Sequence, residues 1–532
     1  MADQVGAFRA HARKLLSAES RRRESFPTGP TPLALVYPNS YATGMSSLGF
    51  QTVYRLFNEQ PLLKGERAFQ LEGPFAASFH TLESQRPLNR FRILAFSLSY
   101  ELDYPHVVAL LKRAGIPLLA QQRSERDPIV MMGGIAAFYN PSVLAPVADC
   151  FLVGEAEGFI PEFEGTYQEH LDAGGRREPF LERLAQLEGV WVPAVHGLEP
   201  PPGAVRRRYL DVHTHPPATS VVVTPYMHLE MFMVEVGRGC GRGCSFCAAG
   251  HLYHPFRTWP LEAVLQEVER YAHPGDRIGL VGAALSDYRP LDRLCESLLA
   301  RGHKVSLSSL RADRVSEALL LALDASDLRS VTLAPEAGSE RLRRAIRKDL
   351  QEEAILQAAA RIGASPIRQL KLYYMIGLPS EQPEDLRALI ELTRKVAALF
   401  CRKESQREVR VSINTFVPKP WTPFQWAAMA SEKQIKEKRN HLLAELNRIE
   451  GVSAGRKSAR EELFQALFAI GNHEVGEALV ASIDRGDDWR AIYPRFAEWI
   501  HRAKRREESL PWDFIDNGLE KDRLWQGWQA AQ

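Results

Sequence analysis

Short apolar runs, each followed by a stretch with helical spacing, recur along most of the chain. In the first series LALVYP (33–38), RILAFSLS (92–99), PIVMMGG (128–134) and CFLVGE (150–155) read as strands. GFQTVYRLF (49–57) and YPHVVALLKRAG (104–115) read as helices between them, with further helical material after the later strands. Such alternation predicts a parallel, doubly wound sheet, which binds ligands at the carboxyl ends of its strands. A second series begins at FMVEV (232–236) and continues through RIGLVG (277–282), KVSLSS (304–309), SVTLAPE (330–336), QLKLYYMIG (369–377) and EVRVSINTF (408–416). Helices are predicted over 261–272, 290–300, 315–324, 339–346, 351–362 and 383–399. The first places Leu261, Val264, Leu265, Val268 and Tyr271 on one face. Six such units make a partial βα barrel, whose catalytic groups lie on loops at the carboxyl ends of the strands. Residues 430–507 read as helices, with Trp489, Ile492, Phe496, Trp499 and Ile500 as a core-facing stripe.

These patterns divide the chain into a charged helical arm (1–29), the doubly wound domain (30–175), a linker (176–228), the barrel (229–425) and a mainly helical C-terminal region (426–532). Pro216, Pro217 and Pro225 keep the end of the linker irregular. Lys and Arg number 67 against 65 Asp and Glu over 532 residues, so no global field draws the chain to nucleic acid or membrane. No apolar run approaches the roughly 18 residues that span a bilayer, and the N-terminus lacks an apolar signal core. Six cysteines without paired spacing fit a reducing compartment, hence a cytoplasmic location.

The chemistry concentrates after the first barrel strand, in GRGCGRGCSFC. Cys240, Cys244 and Cys247 form a Cys-x3-Cys-x2-Cys triplet interleaved with Gly237, Gly239, Gly241 and Gly243. Three thiolates can hold a metal centre and leave one position for a substrate, where four would close it. A structural zinc site with His251 or His254 as fourth ligand is the alternative. Cys150, Cys295 and Cys401 are dispersed among apolar residues and read as core.

The triplet resembles the signature of the radical S-adenosylmethionine (SAM) enzymes. There, three cysteines bind a four-iron, four-sulfur cluster and the fourth iron chelates SAM. The resemblance implies SAM contacts from Phe246, Asp287, Ser308, Arg311 and Glu336, and from the YMIGLP segment with Met375 and Gly377, whose backbone would face the adenine. An Arg311–Glu336 structural pair across the barrel mouth is the bland alternative. The first domain resembles the Rossmann-like cobalamin-binding domain that precedes many radical SAM cores. On that resemblance Asn39, Tyr41, Gly44, Ser97, Ser99, Gly133, Gly134, Gly154 and Glu155 would surround cobalamin, with Tyr41 where the family places a ligand histidine. NTFVPKPWTPFQW (414–426) and LPWDFIDNGLEKDRL (510–524) also look like segments of an uncharacterised group of such proteins.

The implied cofactors are a 4Fe-4S cluster, SAM and cobalamin, with an electron donor such as a flavodoxin or ferredoxin. The implied reaction is cobalamin-dependent methylation of an unactivated carbon or phosphorus centre on an unidentified substrate, small or macromolecular. Two alternatives stay open. One is cobalamin-free radical modification of RNA or a peptide, as in the methylthiotransferases, which carry a second cluster on three N-terminal cysteines; the other is a zinc-stabilised binding module.

Overall fold

In the computed structural model the N-terminal strands are Thr31–Tyr37 (β1), Leu63–Phe69 (β2), Ile93–Ser97 (β3), Ile129–Gly133 (β4), Cys150–Leu152 (β5) and Val190–Trp191 (β6). All residues are described except 1, 24–28, 72, 308–309, 402–405 and 456, together with the side chains of 2–5 and 74. The sheet order is β2-β1-β3-β4-β5-β6, parallel throughout except for the antiparallel β5–β6 edge. Strands β1, β3, β4 and β5 are buried along almost their whole length, which is why they read as unbroken apolar runs. The order reverses between β1 and β3, and such a switch point opens a crevice at the strands' carboxyl ends.

Strand β2 escaped the sequence pattern because LKGERAF carries three charges. The fold buries two of them as networks. Arg67 pairs with Glu19 (2.8 Å) and Glu83 (2.6 Å), while Glu66 accepts from Thr81 Oγ1 (2.7 Å).

The barrel strands are Phe232–Glu235 (β7), Arg277–Val281 (β8), Lys304–Ser306 (β9), Ser330–Glu336 (β10), Gln369–Ile376 (β11) and Glu408–Thr415 (β12). Val452–Ala454 (β13) adds a seventh strand inside the stretch expected to be helical. They form two parallel sheets, β7-β8-β9 and β10-β11-β12-β13, with a parallel bridge between Leu310 and Leu333, and among the described residues they do not close into a full barrel. In β11 and β12 alternate residues are buried, and the Tyr374 hydroxyl accepts from Thr393 Oγ1 on the covering helix Pro383–Phe400 (3.3 Å). The other rank faces the open interior.

Two units emerge. One comprises residues 1–231, 467–497 and 509–518; the other comprises 232–466, 498–508 and 519–532. The expected C-terminal region 426–532 is therefore shared between them, and the expected linker 176–228 lies within the first.

Candidate active site

The cysteine loop leaves β7 through Gly237–Arg238, which pairs antiparallel with Arg257–Thr258, so the loop's two ends are pinned together. Gly239 has φ +78° and a Cβ there would collide with the Tyr253 carbonyl, which makes glycine necessary at that turn. Ser245, between Cys244 and Phe246, is held on both sides: its N–H donates to Ile346 O (2.9 Å) and its carbonyl accepts from Phe424 N–H (3.1 Å). The second bond brings the NTFVPKPWTPFQW segment onto the loop. Cys240 and Cys247 are half-buried and Cys244 is buried, as is the hydroxyl of Ser245; Phe246 is half-buried.

Burial pushes the Cys244 thiol up to about 11, with Cys247 and Cys240 adding to the effect and the Lys348 cation opposing it. Burial raises Cys247 as well. Thiols so placed lose their protons to a metal rather than to water. The donor set fits an iron–sulfur cluster. Against a zinc site stands the His251 Nε2, which meets the Cys244 carbonyl at 3.2 Å and so is a hydrogen-bond donor with no lone pair for a metal. Among the described residues no group of three His, Cys, Asp or Glu gathers tightly enough for a single ion, and a four-iron cluster holds its cysteines farther apart.

The residues expected around SAM stand on neighbouring strand ends, in partnerships the sequence did not suggest. Asp287 forms a two-pronged pair with Arg242 of the cysteine loop (2.6 and 2.9 Å), which holds its carboxyl below the usual range. Arg311 pairs with Asp313 (3.0 Å) and not with Glu336, and its N–H donates to Ser286 Oγ (3.1 Å). Glu336 ends β10 with φ +69°, at an irregularity in the β10–β11 register, and pairs with Lys348 (3.1 Å). Burial raises its pKa against the pull of that cation. Positive φ at a non-glycine residue is strain of the kind found at functional sites. Met375 is on the interior rank of β11, and Gly377 N–H donates to Glu381 (2.9 Å). Ser308 lies outside the described residues.

Lys348 and Arg242 are the site residues that sequence reasoning missed. Lys348 lies just past the helix predicted over 339–346, in a basic run that carries no motif. In the structure helix Glu340–Ala345 ends with Arg347 at φ +53° and with Lys348 N–H bonded to Arg343 O (2.8 Å), a Schellman-type turn that delivers the lysine to Glu336.

In the N-terminal unit, Asn39, Ser97, Ser99, Gly133 and Gly134 meet at the carboxyl ends of β1, β3 and β4. Asn39 Nδ2 donates to Asp103 (2.7 Å) directly across the switch point, and Ser97 is in register with Gly133. Asp103 is pushed up to about 6, first by burial and then by Glu101, against the Asn39 hydrogen bond. His106 Nδ1 meets Pro38 O at 2.9 Å beside them, another neighbour the sequence did not single out. Gly44 packs against Phe69. Tyr41 is turned into the interior, where its phenol donates to Glu19 (2.7 Å). Gly154 and Glu155 belong elsewhere. A bridge pairs Gly154 (φ +119°) with Arg208, and the Glu155 carboxylate accepts from Leu210 N–H, so this strand end is filled by the chain's own 208–210 segment. A separate cleft of about 820 Å³, between Ile116–Gln122, Pro146 and Val480, opens at the amino ends of β4 and β5.

Residues 234–393 match the family model of the radical SAM superfamily, and residues 49–193 match that of the N-terminal region of radical SAM proteins. Residues 234–393 thus form a radical SAM domain, preceded by a region typical of radical SAM proteins. It is 27% identical over 454 residues to the uncharacterized protein MJ0966 of Methanocaldococcus jannaschii, a match covering 84% of this chain and 90% of that protein. It is 28% identical to the tRNA-2-methylthio-N(6)-dimethylallyladenosine synthase of Sorangium cellulosum, over 36% of this chain and 44% of that one. With the hopanoid C-3 methylase of Methylococcus capsulatus it shares 27% identity over 36% and 35% of the two chains. The chain thus spans less than half of these last two relatives. Among solved structures, the cobalamin-dependent SAM radical enzyme OxsB aligns over 94% of this chain and 79% of its own at 13% identity and a TM-score of 0.49.

Proposed function

We propose that the protein cleaves SAM reductively and uses the 5'-deoxyadenosyl radical in a cobalamin-dependent methyl transfer to an unactivated carbon or phosphorus centre. The observation that carries the first half is the pinned loop of Cys240, Cys244 and Cys247 surrounded by acid–base pairs on neighbouring strand ends. Those thiolates would hold three irons and leave the fourth to the SAM amine and carboxylate. When bound, the cluster supplies the electron that breaks the sulfonium bond, delivered to it by a flavodoxin- or ferredoxin-type donor. Glu336 is suited to accept from an N–H of the SAM amine, Arg311 to bind its carboxylate, and the Met375–Gly377 segment to line the adenine.

The support for cobalamin is the switch-point crevice, where Asn39, Ser97, Ser99, Gly133 and Gly134 would hold the nucleotide tail. Bound there, cobalamin supplies a carrier for the methyl group. Tyr41 is committed to Glu19 and would not ligate cobalt. The likeness to a hopanoid C-3 methylase favours methyl transfer as the reaction. Sulfur insertion on the methylthiotransferase pattern lacks ligands for a second cluster: Cys150, the one cysteine before Cys240, is buried in β5.

Anaerobic reconstitution, metal analysis and a 5'-deoxyadenosine assay test both halves. Iron, SAM cleavage and cobalamin uptake together are expected. Iron and cleavage without cobalamin uptake would reduce the function to a cobalamin-free radical modification, and failure to assemble the cluster would remove the radical reading itself.

A further inference from the structure

The interior face of β10, β11 and β12 is arranged in rows, because parallel register sets equivalent residues side by side. The lowest row is Ser330, Gln369 and Glu408. It is closed on itself: Ser330 Oγ donates to Gln369 Oε1 (3.5 Å), Gln369 Nε2 donates to Glu408 Oε2 (3.0 Å), and Ser453 Oγ donates to the other Glu408 oxygen. Both oxygens of that carboxylate are thereby engaged.

The next row is Thr332, Lys371 and Arg410, which offers donors and no acceptor side chain with charge. Neither Lys371 nor Arg410 has a hydrogen-bond or ion-pair partner among the described residues. Lys371 is half-buried and Arg410 exposed. Two cations in direct cross-strand register repel each other, and the Glu408 carboxylate in the row below attracts Arg410 only through space, its oxygens being taken by Gln369 and Ser453. Above them Tyr373, 39% exposed, lies beside Ser412, and above that Met375 lies beside Asn414. Tyr373 thus presents an aromatic surface on the interior rank of the open sheet.

We propose that this row is the anchoring subsite for the substrate. Lys371 and Arg410 take a phosphate or carboxylate, Tyr373 supports an apolar or aromatic body, and the reacting atom lies at the strands' carboxyl end. Four residues of strand separate Lys371 from Met375, so the anion and the reacting atom are about 13 Å apart. The substrate class is an extended, small organic anion. Its status as the substrate of radical chemistry rests on the proposed function; the anion site itself does not.

Calorimetry on the anaerobically reconstituted protein with phenyl phosphate, benzoate and benzylamine tests this. Phenyl phosphate or benzoate should bind and benzylamine should not, the tighter of the two anions naming the group. Lys371→Met and Arg410→Met should each weaken that anion by about tenfold or more, Lys371→Arg should largely keep it, and cluster content should be unchanged in all three. Absence of anion binding by the wild type, or equal affinity in the Met variants, would overturn the proposal. Binding that depends on Lys371 in a protein that never releases 5'-deoxyadenosine would support the anion site and sink the radical reading instead.

Discussion

Both units are built on parallel strands with glycine and polar residues at their carboxyl ends, yet those ends are used differently. In the N-terminal sheet much of the polar end is tied to the chain itself. Asn39 is bonded to Asp103, Gly154 admits the Arg208 backbone, and Glu155 caps Leu210. In the barrel the strand ends carry paired charges, Arg242–Asp287, Arg311–Asp313 and Lys348–Glu336, whose side chains remain 12 to 34% exposed. A glycine at a strand end therefore says little about a ligand, because a tight approach of backbone to backbone requires it equally. Ion pairs gathered around three thiols say more, since their partners can be exchanged for those of a bound molecule.

The comparison breaks most completely at the cysteines. Alanine at Cys240, Cys244 or Cys247 should abolish the cluster and SAM cleavage while circular dichroism stays close to wild type. Iron content and 5'-deoxyadenosine production are the measurements, and full retention of both in the triple variant would refute the assignment.

Buried cations sharpen the contrast next. Arg67 in the first unit is fully buried between two carboxylates, whereas Lys504 in the second is 3% exposed, sits 5.1 Å from the Trp499 ring centre and has no hydrogen-bond partner for Nζ among the described residues. Burial, aided by Arg502, lowers the Lys504 pKa to about 7. The folded state thus binds fewer protons there than the unfolded state between about pH 7 and 10, so this lysine costs stability as the pH falls through that window. Lys504→Met should stabilise the protein at pH 7 by roughly 3 kcal/mol, with the gain fading toward pH 10. Urea midpoints at the two pH values check this, and a pH-independent gain would contradict it.

At Gly154 the same logic predicts loss. Gly154→Ala must strain a φ of +119° and displace Arg208, and should destabilise the first unit by about 2 to 3 kcal/mol without changing cluster content. A thermal midpoint equal to wild type would show that the 208–210 segment is not held as described. The smallest effect is expected at Glu336→Gln, which removes a charge-assisted bond at the barrel mouth. SAM affinity should fall by roughly 10- to 150-fold, equivalent to about 1.5 to 3 kcal/mol. Unchanged affinity by calorimetry would make the Glu336–Lys348 pair purely structural.

Much of this architecture was legible because strands buried on both faces must be apolar throughout, as in LALVYP and RILAFSLS, and because three cysteines at this spacing have few other uses. Strand β2 was illegible because the partners of its buried charges, Glu19 and Glu83 for Arg67 and Thr81 for Glu66, lie outside the strand. Lys348 was hidden for a related reason: only the turn at Arg347 turns it from a helix-end charge into a neighbour of Glu336. The unpartnered state of Lys371 and Arg410 also could not be read, since alternation shows which face a residue takes and not what stands opposite.

The double hold on Ser245 bears on the order of events during maturation. Both of its backbone groups are bonded to residues about a hundred and more positions downstream, Ile346 and Phe424, so the loop takes shape only once the barrel is nearly complete. Zinc fingers show the opposite sequence, in which metal capture and folding are one event. Here the chain must be synthesised through Phe424 before the loop can close, which places delivery of the inorganic cargo late in translation or after it.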